Sequence, residues 1–182
     1  NNQETNRHFL DTAVSERALR EIYLKGFEIA VKHGGAKSIM TTYGKVNDLW
    51  TAGNFDLNTE ILRNQWGFRG FTMTDWWANI NVRGHEADKN DFSAMAKAQN
   101  DVYMVCSSGE NHSDNIMEEL SGGGITRGEL QRNAANILRF LIDTNAMRRL
   151  MGTEEKVEVI NKPESEIDEL IRNAPCYDLD RR

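Results

Sequence analysis

The sequence predicts an α/β fold in which short parallel strands alternate with helices. Short apolar runs typical of buried strands alternate with segments whose apolar residues recur at three- and four-residue steps, as on one helix face. Such alternation produces parallel strands joined by right-handed crossovers. The chain of 182 residues is long enough for one domain with a real core. It is shorter than the ~250 residues of a complete (β/α)8 barrel.

The first helix is predicted to begin at Ser15, a residue type that caps helix N-termini, and to end at His33-Gly34-Gly35. A strand is predicted at residues 38–43, followed by a long polar loop at 44–53. The predicted apolar stripe of the helix comprises Leu19, Ile22, Tyr23, Phe27 and Ala30.

The middle of the chain continues the alternation. Its predicted elements are a helix at 58–66 closed by Gly67, a strand at 71–74, a freely exposed charged segment at 79–91, a short helix at 92–99 and a third strand at 101–106. In the strand at 71–74 we expect Phe71, Met73 and their neighbours to be buried.

The last part of the chain is predicted to be helical. A short helix is expected at 113–120 and a flexible glycine turn at 122–124. Thr126 and Glu129 have the spacing of a capping box, which opens a long helix that reaches about Asn145. The predicted buried stripe of this helix comprises Leu130, Ala134, Ile137, Leu138 and Leu141.

Composition and charge argue against two classes of partner. The net charge is -6 and the pI is near 5.3, with the basic residues scattered among more numerous acidic ones. A clustered basic surface for nucleic acid is therefore not expected. No apolar run approaches the ~20 residues that a membrane span needs. We expect neither nucleic acid nor a membrane as a partner.

The cysteines and the amino terminus bear on location and processing. Cys106 lies in an apolar run and Cys176 in a different segment, which favours a buried free thiol over a disulfide. This fits a reducing compartment such as the cytoplasm, and a secreted or periplasmic location stays open. The polar amino terminus has neither an initiator methionine nor a signal-peptide pattern. We expect the chain to be part of something longer.

The stretch around Asp75 carries the strongest chemical signal. Asp75 follows the predicted strand at 71–74 and precedes Trp76 and Trp77. The carboxyl ends of parallel strands are where α/β enzymes place their chemistry. Indole faces stack on pyranose rings, and an ionised carboxylate can attack or stabilise an anomeric carbon. The pattern favours a sugar site, and the alternative for Asp75 is the N-cap of the next helix.

A set of motifs occurs along the chain in a fixed order. They are Asn1-Asn2-Gln3-Glu4-Thr5-Asn6-Arg7, residues 16–24, residues 38–43, Trp66-Gly67-Phe68-Arg69-Gly70-Phe71 and Thr74-Asp75-Trp76. In this order they resemble glycoside hydrolase family three, which includes many bacterial β-glucosidases. The resemblance implies that residues 1–150 are the carboxyl-terminal part of a (β/α)8 TIM-type barrel, with its last three or so β/α units. Residues 151–182, rich in Glu, Lys and Asp, would be a linker toward a further domain, with at most one short helix at 163–173.

The resemblance also implies roles for single residues. Asp75 matches the family's catalytic nucleophile, and Met40 and Tyr43 match an M-x-x-Y motif that lines the glycone subsite. Trp76 matches the tryptophan that borders the same pocket. The implied activity is retaining hydrolysis of terminal β-D-glucosyl residues from a β-glucoside or oligosaccharide, with xylose as the alternative sugar. It uses no cofactor and no metal ion.

The chain departs from the family pattern in three respects. The Lys-His pair that usually precedes the Asn-Asn-Gln-Glu segment is not in this sequence, and Gly44 stands where related sequences have Asn. The family's general acid/base comes from a second domain, and we expect this chain to lack that domain. Glu86, Asp88 and Glu110 lie near predicted strand ends, but each is better explained as a solvated loop charge.

Two further expectations complete the sequence-based picture. A partial barrel exposes sheet edges and apolar helix faces, so we expect association with the remainder of its barrel or with further copies as a homo-oligomer. The alternative function is a non-catalytic carbohydrate-binding or assembly module. It would use Trp50, Trp76 and Trp77 as stacking surfaces and Asp75 only to orient sugar hydroxyls.

Overall fold

A computed structural model describes residues 3–104 and 114–153, together with positions 166 and 169. Within the tail helix predicted at 163–173, Glu166 and Glu169 are helical. The predictions for Cys106, Glu110 and Cys176 concern residues outside the described ranges.

The described elements form an α/β arrangement. The strands are β1 (Asp11–Thr12), β2 (Ser38–Met40), β3 (Lys45–Val46), β4 (Leu49–Trp50) and β5 (Phe71–Met73). The α-helices are α1 (Glu16–Ala18), α2 (Lys25–Lys32), α3 (Phe92–Lys97), α4 (Ile116–Gly122), α5 (Arg127–Ile142) and α6 (Asn145–Leu150). The π-helices are Leu19–Tyr23 and Asp56–Gln65, and a 3-10 helix spans Thr51–Gly53. Within the described ranges, no helix is both long and apolar enough to cross a membrane.

Parallel pairing around β5 carries the site described below. β2 and β5 pair in parallel, with Ser38 opposite Phe71 and Met40 opposite Met73. A parallel bridge from Met73 to Val102 extends this arrangement on the other side of β5. The predicted α/β fold with parallel strands is confirmed.

The predicted polar loop at 44–53 is wrong. It holds an antiparallel hairpin of β3 and β4, and β3 also pairs in parallel with β1. The turn residues Asn47 and Asp48 have φ of 50° and 72°. Positive φ at both central positions is the mark of a type I′ hairpin turn, which Asn and Asp tolerate. The hairpin buries Trp50, which is 5% exposed.

The first helical segment begins as predicted, but its apolar stripe is not buried. The Ser15 hydroxyl accepts a hydrogen bond from the Ala18 N–H and caps α1. Ile22 is 68% exposed, and Tyr23 and Phe27 are each 52% exposed. Tyr23 and Phe27 line an open apolar cavity instead of packing tightly, so helical spacing correctly identifies an apolar face but not its burial.

The inward face of β5 is polar, contrary to prediction. Thr72 and Thr74 are fully buried, whereas Phe71 and Met73 are only partly so. The two threonine hydroxyls bond to the segment at 99–104. Thr72 donates to the Gln99 carbonyl at 2.6 Å, and Thr74 accepts from the Met104 N–H at 2.9 Å. These bonds allow polar side chains in the core.

A buried ion pair joins the π-helix Asp56–Gln65 to the segment that follows α3. The Arg63 guanidinium lies 2.6 Å from Asp101, and both side chains are almost completely buried. The Thr72 N–H and the Asn136 amide donate to the same carboxylate at 2.9 Å each. Burial raises the pKa of Asp101, and the charge of Arg63 opposes that rise. The π-helix, β5 and α5 therefore meet at one carboxylate of the segment that follows α3.

The segment at 79–91 is not freely exposed throughout. Ile80 is completely buried and packs with Ala52, Ala78 and Met95 in the hydrophobic core. Residues 82–90 are exposed. The prediction is therefore wrong for the start of the segment, where one apolar side chain among polar neighbours reaches the core.

The capping box that opens α5 is confirmed, but the predicted apolar stripe is wrong. The Thr126 hydroxyl and the Glu129 carboxylate exchange hydrogen bonds with each other's backbone N–H groups. Leu138 is 57% exposed, whereas Asn133 and Asn136 are buried. The asparagines face inward because they donate to the Ala96 carbonyl and to Asp101. The helix ends at Ile142, and α6 follows.

Candidate active site

The carboxyl edge of β2 and β5 brings two separate stretches of chain together. Asp75 lies just beyond the end of β5, and Tyr43 lies just beyond the end of β2. Because these strands are parallel, both extensions leave the sheet at the same edge. This is the edge at which parallel α/β folds place reactive groups.

Asp75 is partly buried and does not cap a helix. Its Oδ1 accepts a hydrogen bond from the Trp76 N–H at 2.8 Å. The next described helix, α3, is capped by Asp91, whose side chain accepts from the Ala94 N–H. The N-cap interpretation of Asp75 is therefore wrong, and its carboxylate stays available at the sheet edge.

Tyr43 meets Asp75. Burial raises the pKa of the Tyr43 phenol, a hydrogen bond to the Asp75 carboxylate and its charge raise it further, and Arg7 opposes the rise. The phenol thus stays protonated at neutral pH and can donate to the carboxylate. A neutral donor beside a carboxylate holds it in place without removing its charge.

Arg7 and His8 complete this cluster, and no sequence pattern predicts either of them there. The His8 ring lies 4.1 Å from the Tyr43 ring, centre to centre. The Arg7 guanidinium lies 5.4 Å from the centre of the same ring and also pairs with Glu4 at 3.2 Å. Arg7 was visible only as the end of a polar motif, and no periodicity or spacing connects it with Tyr43.

The tryptophans divide into two groups. Trp76 is 38% exposed and Trp77 is 54% exposed, both beside Asp75. Trp77 has a φ of 55°, which is uncommon for a bulky residue. Trp50 is buried in the hairpin, so its proposed use as a stacking surface is wrong.

Met40 lies at the end of β2, opposite Met73, and is half exposed. It lines an apolar cavity between β2 and two helical segments, together with Phe27, Ile61 and Trp66. Tyr43, Asp75 and Trp76 do not line this cavity. The structure therefore brings Tyr43 and Asp75 together, and no described contact joins Met40 to them.

No second carboxylate is described beside Asp75. Asp88 accepts a hydrogen bond from the Asn90 N–H at 2.8 Å within a turn, and Glu86 is exposed. Glu110 lies outside the described residues. In the part of the chain that the structure describes, no group of His, Cys, Asp and Glu side chains could hold a metal ion.

Comparison with known proteins gives consistent matches. The family profile "Glycosyl hydrolase family 3 N terminal domain" matches residues 2–140. A β-glucosidase of Ruminococcus albus is 68% identical over 169 residues, which cover 93% of this chain and 18% of that protein. β-Glucosidase B of Emericella nidulans is 32% identical over 179 residues, which cover 98% of this chain and 20% of that protein.

Solved structures agree with these sequence matches. A β-glucosidase from Paenibacillus barengoltzii is 53% identical with a TM-score of 0.79, and the match covers 90% of this chain and 18% of that one. β-Glucosidase 3B from Thermotoga neapolitana, in complex with glucose, is 36% identical with a TM-score of 0.70. The match covers 94% of this chain and 22% of that one. This chain spans about a fifth of the length of the relatives it matches.

Proposed function

The chain belongs to the glycosyl hydrolase family 3 N-terminal domain family, and from this we propose that it carries the nucleophile half of a retaining β-glucosidase site. Asp75 is the nucleophile, and Tyr43 and Trp76 line the glycone subsite. For Met40, the M-x-x-Y motif alone supports a place in that subsite. The substrate is a β-glucoside or oligosaccharide with a terminal β-D-glucosyl residue. The relatives named β-glucosidase support this substrate class.

The meeting of Tyr43 with Asp75 at the carboxyl edge of the sheet carries this proposal. These residues are far apart in sequence and belong to different family motifs. The family resemblance places the tyrosine near the nucleophile, whereas periodicity and spacing alone give no reason for their contact. A tyrosine that donates to a carboxylate beside exposed indoles is suited to hold a nucleophile next to a sugar ring.

The chemistry follows from this arrangement. The Asp75 carboxylate attacks the anomeric carbon as the leaving-group oxygen departs, which forms a covalent glycosyl-enzyme intermediate. Water then hydrolyses that intermediate with retention of configuration. A second carboxyl group, about 5–5.5 Å from the first, must protonate the leaving oxygen. Because the family's acid/base comes from a second domain, we place this group on that domain rather than on this chain.

The strand pairing and the exposed apolar stripe also suggest the architecture of the whole domain and what packs against this chain. We infer that β2, β5 and the segment that bridges to β5 at Val102 are neighbouring parts of a (β/α)8 barrel, whose remaining units come from elsewhere. The exposed stripe of Ile22, Tyr23 and Phe27 is the face on which those units, or a second copy of the chain, would pack. We place the domain end near residue 150, with 151–182 as the tail toward a further domain.

Hydrolysis by the purified chain tests the function. We expect release of p-nitrophenol from p-nitrophenyl β-D-glucoside, faster than from the β-xyloside, with loss of at least ~10²-fold in Asp75→Asn. Asp88→Asn, an exposed aspartate of the same region, is the matched control and should keep its activity. Equal activity in both variants would overturn the role of Asp75. The mass in solution, measured in the same buffer, reports the assembly.

A non-catalytic carbohydrate-binding module is the second candidate, because Trp76 and Trp77 are both exposed beside Asp75. An activated 2-deoxy-2-fluoro-β-D-glucoside separates the two functions. A covalent adduct on Asp75, found by mass spectrometry of the digested chain, supports the hydrolase. Saturable glucoside binding without an adduct supports the module.

A further inference from the structure

The hydrogen-bond ladder between β5 and the segment at 101–104 changes at Thr74. In a parallel ladder the bonds alternate regularly from one strand to the other. The Val102 N–H donates to the Thr72 carbonyl at 3.1 Å, and the Thr74 N–H donates to the Val102 carbonyl at 2.9 Å. The next regular bond would run from the Met104 N–H to the Thr74 carbonyl.

The Thr74 hydroxyl takes the place of that carbonyl. The Met104 N–H donates to Thr74 Oγ1 at 2.9 Å. A side-chain acceptor satisfies the strand neighbour while the Thr74 carbonyl is released from the ladder. The main chain can therefore turn away from the sheet directly before Asp75.

A second hydrogen bond fixes the main chain just after Asp75. The Trp77 N–H donates to the Met104 carbonyl at 3.3 Å, and Trp77 has a φ of 55°. Met104 thus holds Thr74 through its N–H and Trp77 through its carbonyl. Asp75 and Trp76 form the short span between these two attachments, which limits where the carboxylate can point.

From this geometry we propose that Thr74 is a positioning residue, whose buried hydroxyl ends the strand ladder at Met104 and thereby aims the Asp75 carboxylate at the site. Its side chain is fully buried and bonds to Met104, so it acts through Asp75 and not on the substrate directly. The inference rests on the proposed function for its catalytic consequence, and on the described hydrogen bonds for its structural part.

A variant of Thr72, which lies in the same strand, provides the matched control. Both threonines are fully buried, and both bond to the segment at 99–104 through the side chain. Thr72 lies in the middle of β5, three residues before Asp75, and donates to the Gln99 carbonyl at 2.6 Å. A general loss of core stability should appear in both variants, whereas misdirection of Asp75 should appear only at Thr74.

The test uses the full 182-residue chain and 2,4-dinitrophenyl 2-deoxy-2-fluoro-β-D-glucoside, with labelling followed by intact mass. We expect Thr74→Val to lower the maximal labelling rate constant about 10- to 100-fold, because a displacement near 1 Å can cost ~10² in rate. The concentration for half-maximal rate should change less than about twofold. Thr74→Ser, which keeps the hydroxyl, should restore the rate.

Thr72→Val should lower the urea midpoint as Thr74→Val does, yet label at the native rate. Equal labelling rates in Thr72→Val and Thr74→Val would overturn the proposal. If Thr74→Val does not fold, Thr74→Cys takes its place, because sulfur is a weak acceptor of similar size. Native labelling rates in Thr74→Cys would also overturn the proposal.

A second measurement keeps the proposal separate from the proposed function. If the native chain does not label, Asp75 is not a competent nucleophile in it, and the proposed function fails. Titration of Tyr43, followed by its ¹³Cζ resonance and assigned with Tyr43→Phe, still reports where Asp75 lies. The pKa of Tyr43 should fall toward 10.0 in Asp75→Asn and in Thr74→Val, but not in Thr72→Val. An unchanged titration in Thr74→Val would contradict the positioning role.

Discussion

Two helical segments border the same apolar cavity and bury very different surfaces. The first helical segment, residues 16–32, and the π-helix Asp56–Gln65 both line that cavity, and Arg20 bonds to Gln65 at 2.6 Å between them. The π-helix buries Ile61 and Leu62, at 6% and 5% exposure. The first helical segment leaves its apolar stripe largely in solvent.

Their ion pairs differ in the same way. Arg63 of the π-helix meets Asp101 in the interior, whereas Glu28 of the first helical segment pairs with Lys25 and Lys32 at 2.8 and 2.7 Å on the surface. Packing against the rest of the chain, rather than helical amphipathicity, therefore separates an anchored segment from a loosely held one.

Breaking an ion pair should give the largest difference in stability between the two segments. Asp101→Ala leaves the Arg63 guanidinium buried without its partner and removes the acceptor for the Thr72 N–H. We expect a loss of about 3–5 kcal/mol in the free energy of unfolding, measured by urea denaturation. Glu28→Ala breaks ion pairs in the other segment and should leave the midpoint nearly unchanged. Similar midpoints for the two variants would contradict the contrast.

Apolar truncations compare the two faces directly. Leu62→Ala should lower the free energy of unfolding by about 2–5 kcal/mol, because it opens a cavity in packed surroundings. Phe27→Ala removes a larger side chain from an exposed face and should change stability by less than about 0.5 kcal/mol. A large, concentration-dependent cost for Phe27→Ala would mean that a second copy covers this face.

Helix capping tests how strongly each segment is coupled to the whole. Ser15 caps the first helical segment, and the Asn54 side chain accepts from the Leu57 N–H at 3.1 Å at the start of the π-helix. Each change to Ala removes a cap of about 1 kcal/mol. Asn54→Ala should lower the global midpoint, whereas Ser15→Ala should mainly speed amide exchange at residues 18–32. Equal shifts of the global midpoint would show that both segments unfold with the core.

The smallest expected effect is a pH dependence of the stability that Glu28 contributes in the first helical segment. Hydrogen bonds from Lys25 and Lys32 lower the pKa of Glu28 from 4.5 to about 2. A lowered pKa in the folded state stabilises the fold above the unfolded value, and that stabilisation is lost as pH falls. The stability difference between the native chain and Glu28→Gln should therefore be constant above pH 4.5 and disappear toward pH 2. A difference independent of pH in urea titrations would argue against these ion pairs.

Features with a local cause were predictable from the sequence. The cap at Ser15 and the capping box of Thr126 with Glu129 depend on residues within one helical turn. The emergence of Asp75 at a strand end was likewise predictable, because a short apolar run followed by polar residues marks that end. The parallel pairing of β2 with β5 follows from the strand–helix alternation.

Features that depend on distant partners were not predictable. Asn133 and Asn136 face inward on α5 because Ala96 and Asp101 accept from them, although periodicity favoured Leu138 and Leu141. Ile80 is in the core because Ala52, Ala78 and Met95 surround it. The hairpin at Asn47–Asp48 had a local turn signal, but its strands are too short to show alternation.

The candidate site likewise has features that were predictable from the sequence and features that were not. Which residues could do the chemistry follows from side-chain type and order along the chain, since a carboxylate beside indoles after a strand has few other uses. Tyr43 meets Asp75, His8 and Arg7 lie against the Tyr43 ring, and Met104 holds Thr74 and Trp77 on either side of Asp75. These contacts depend on how separate segments pack. Such contacts leave no trace in local periodicity, because each partner's own neighbours carry no information about the other.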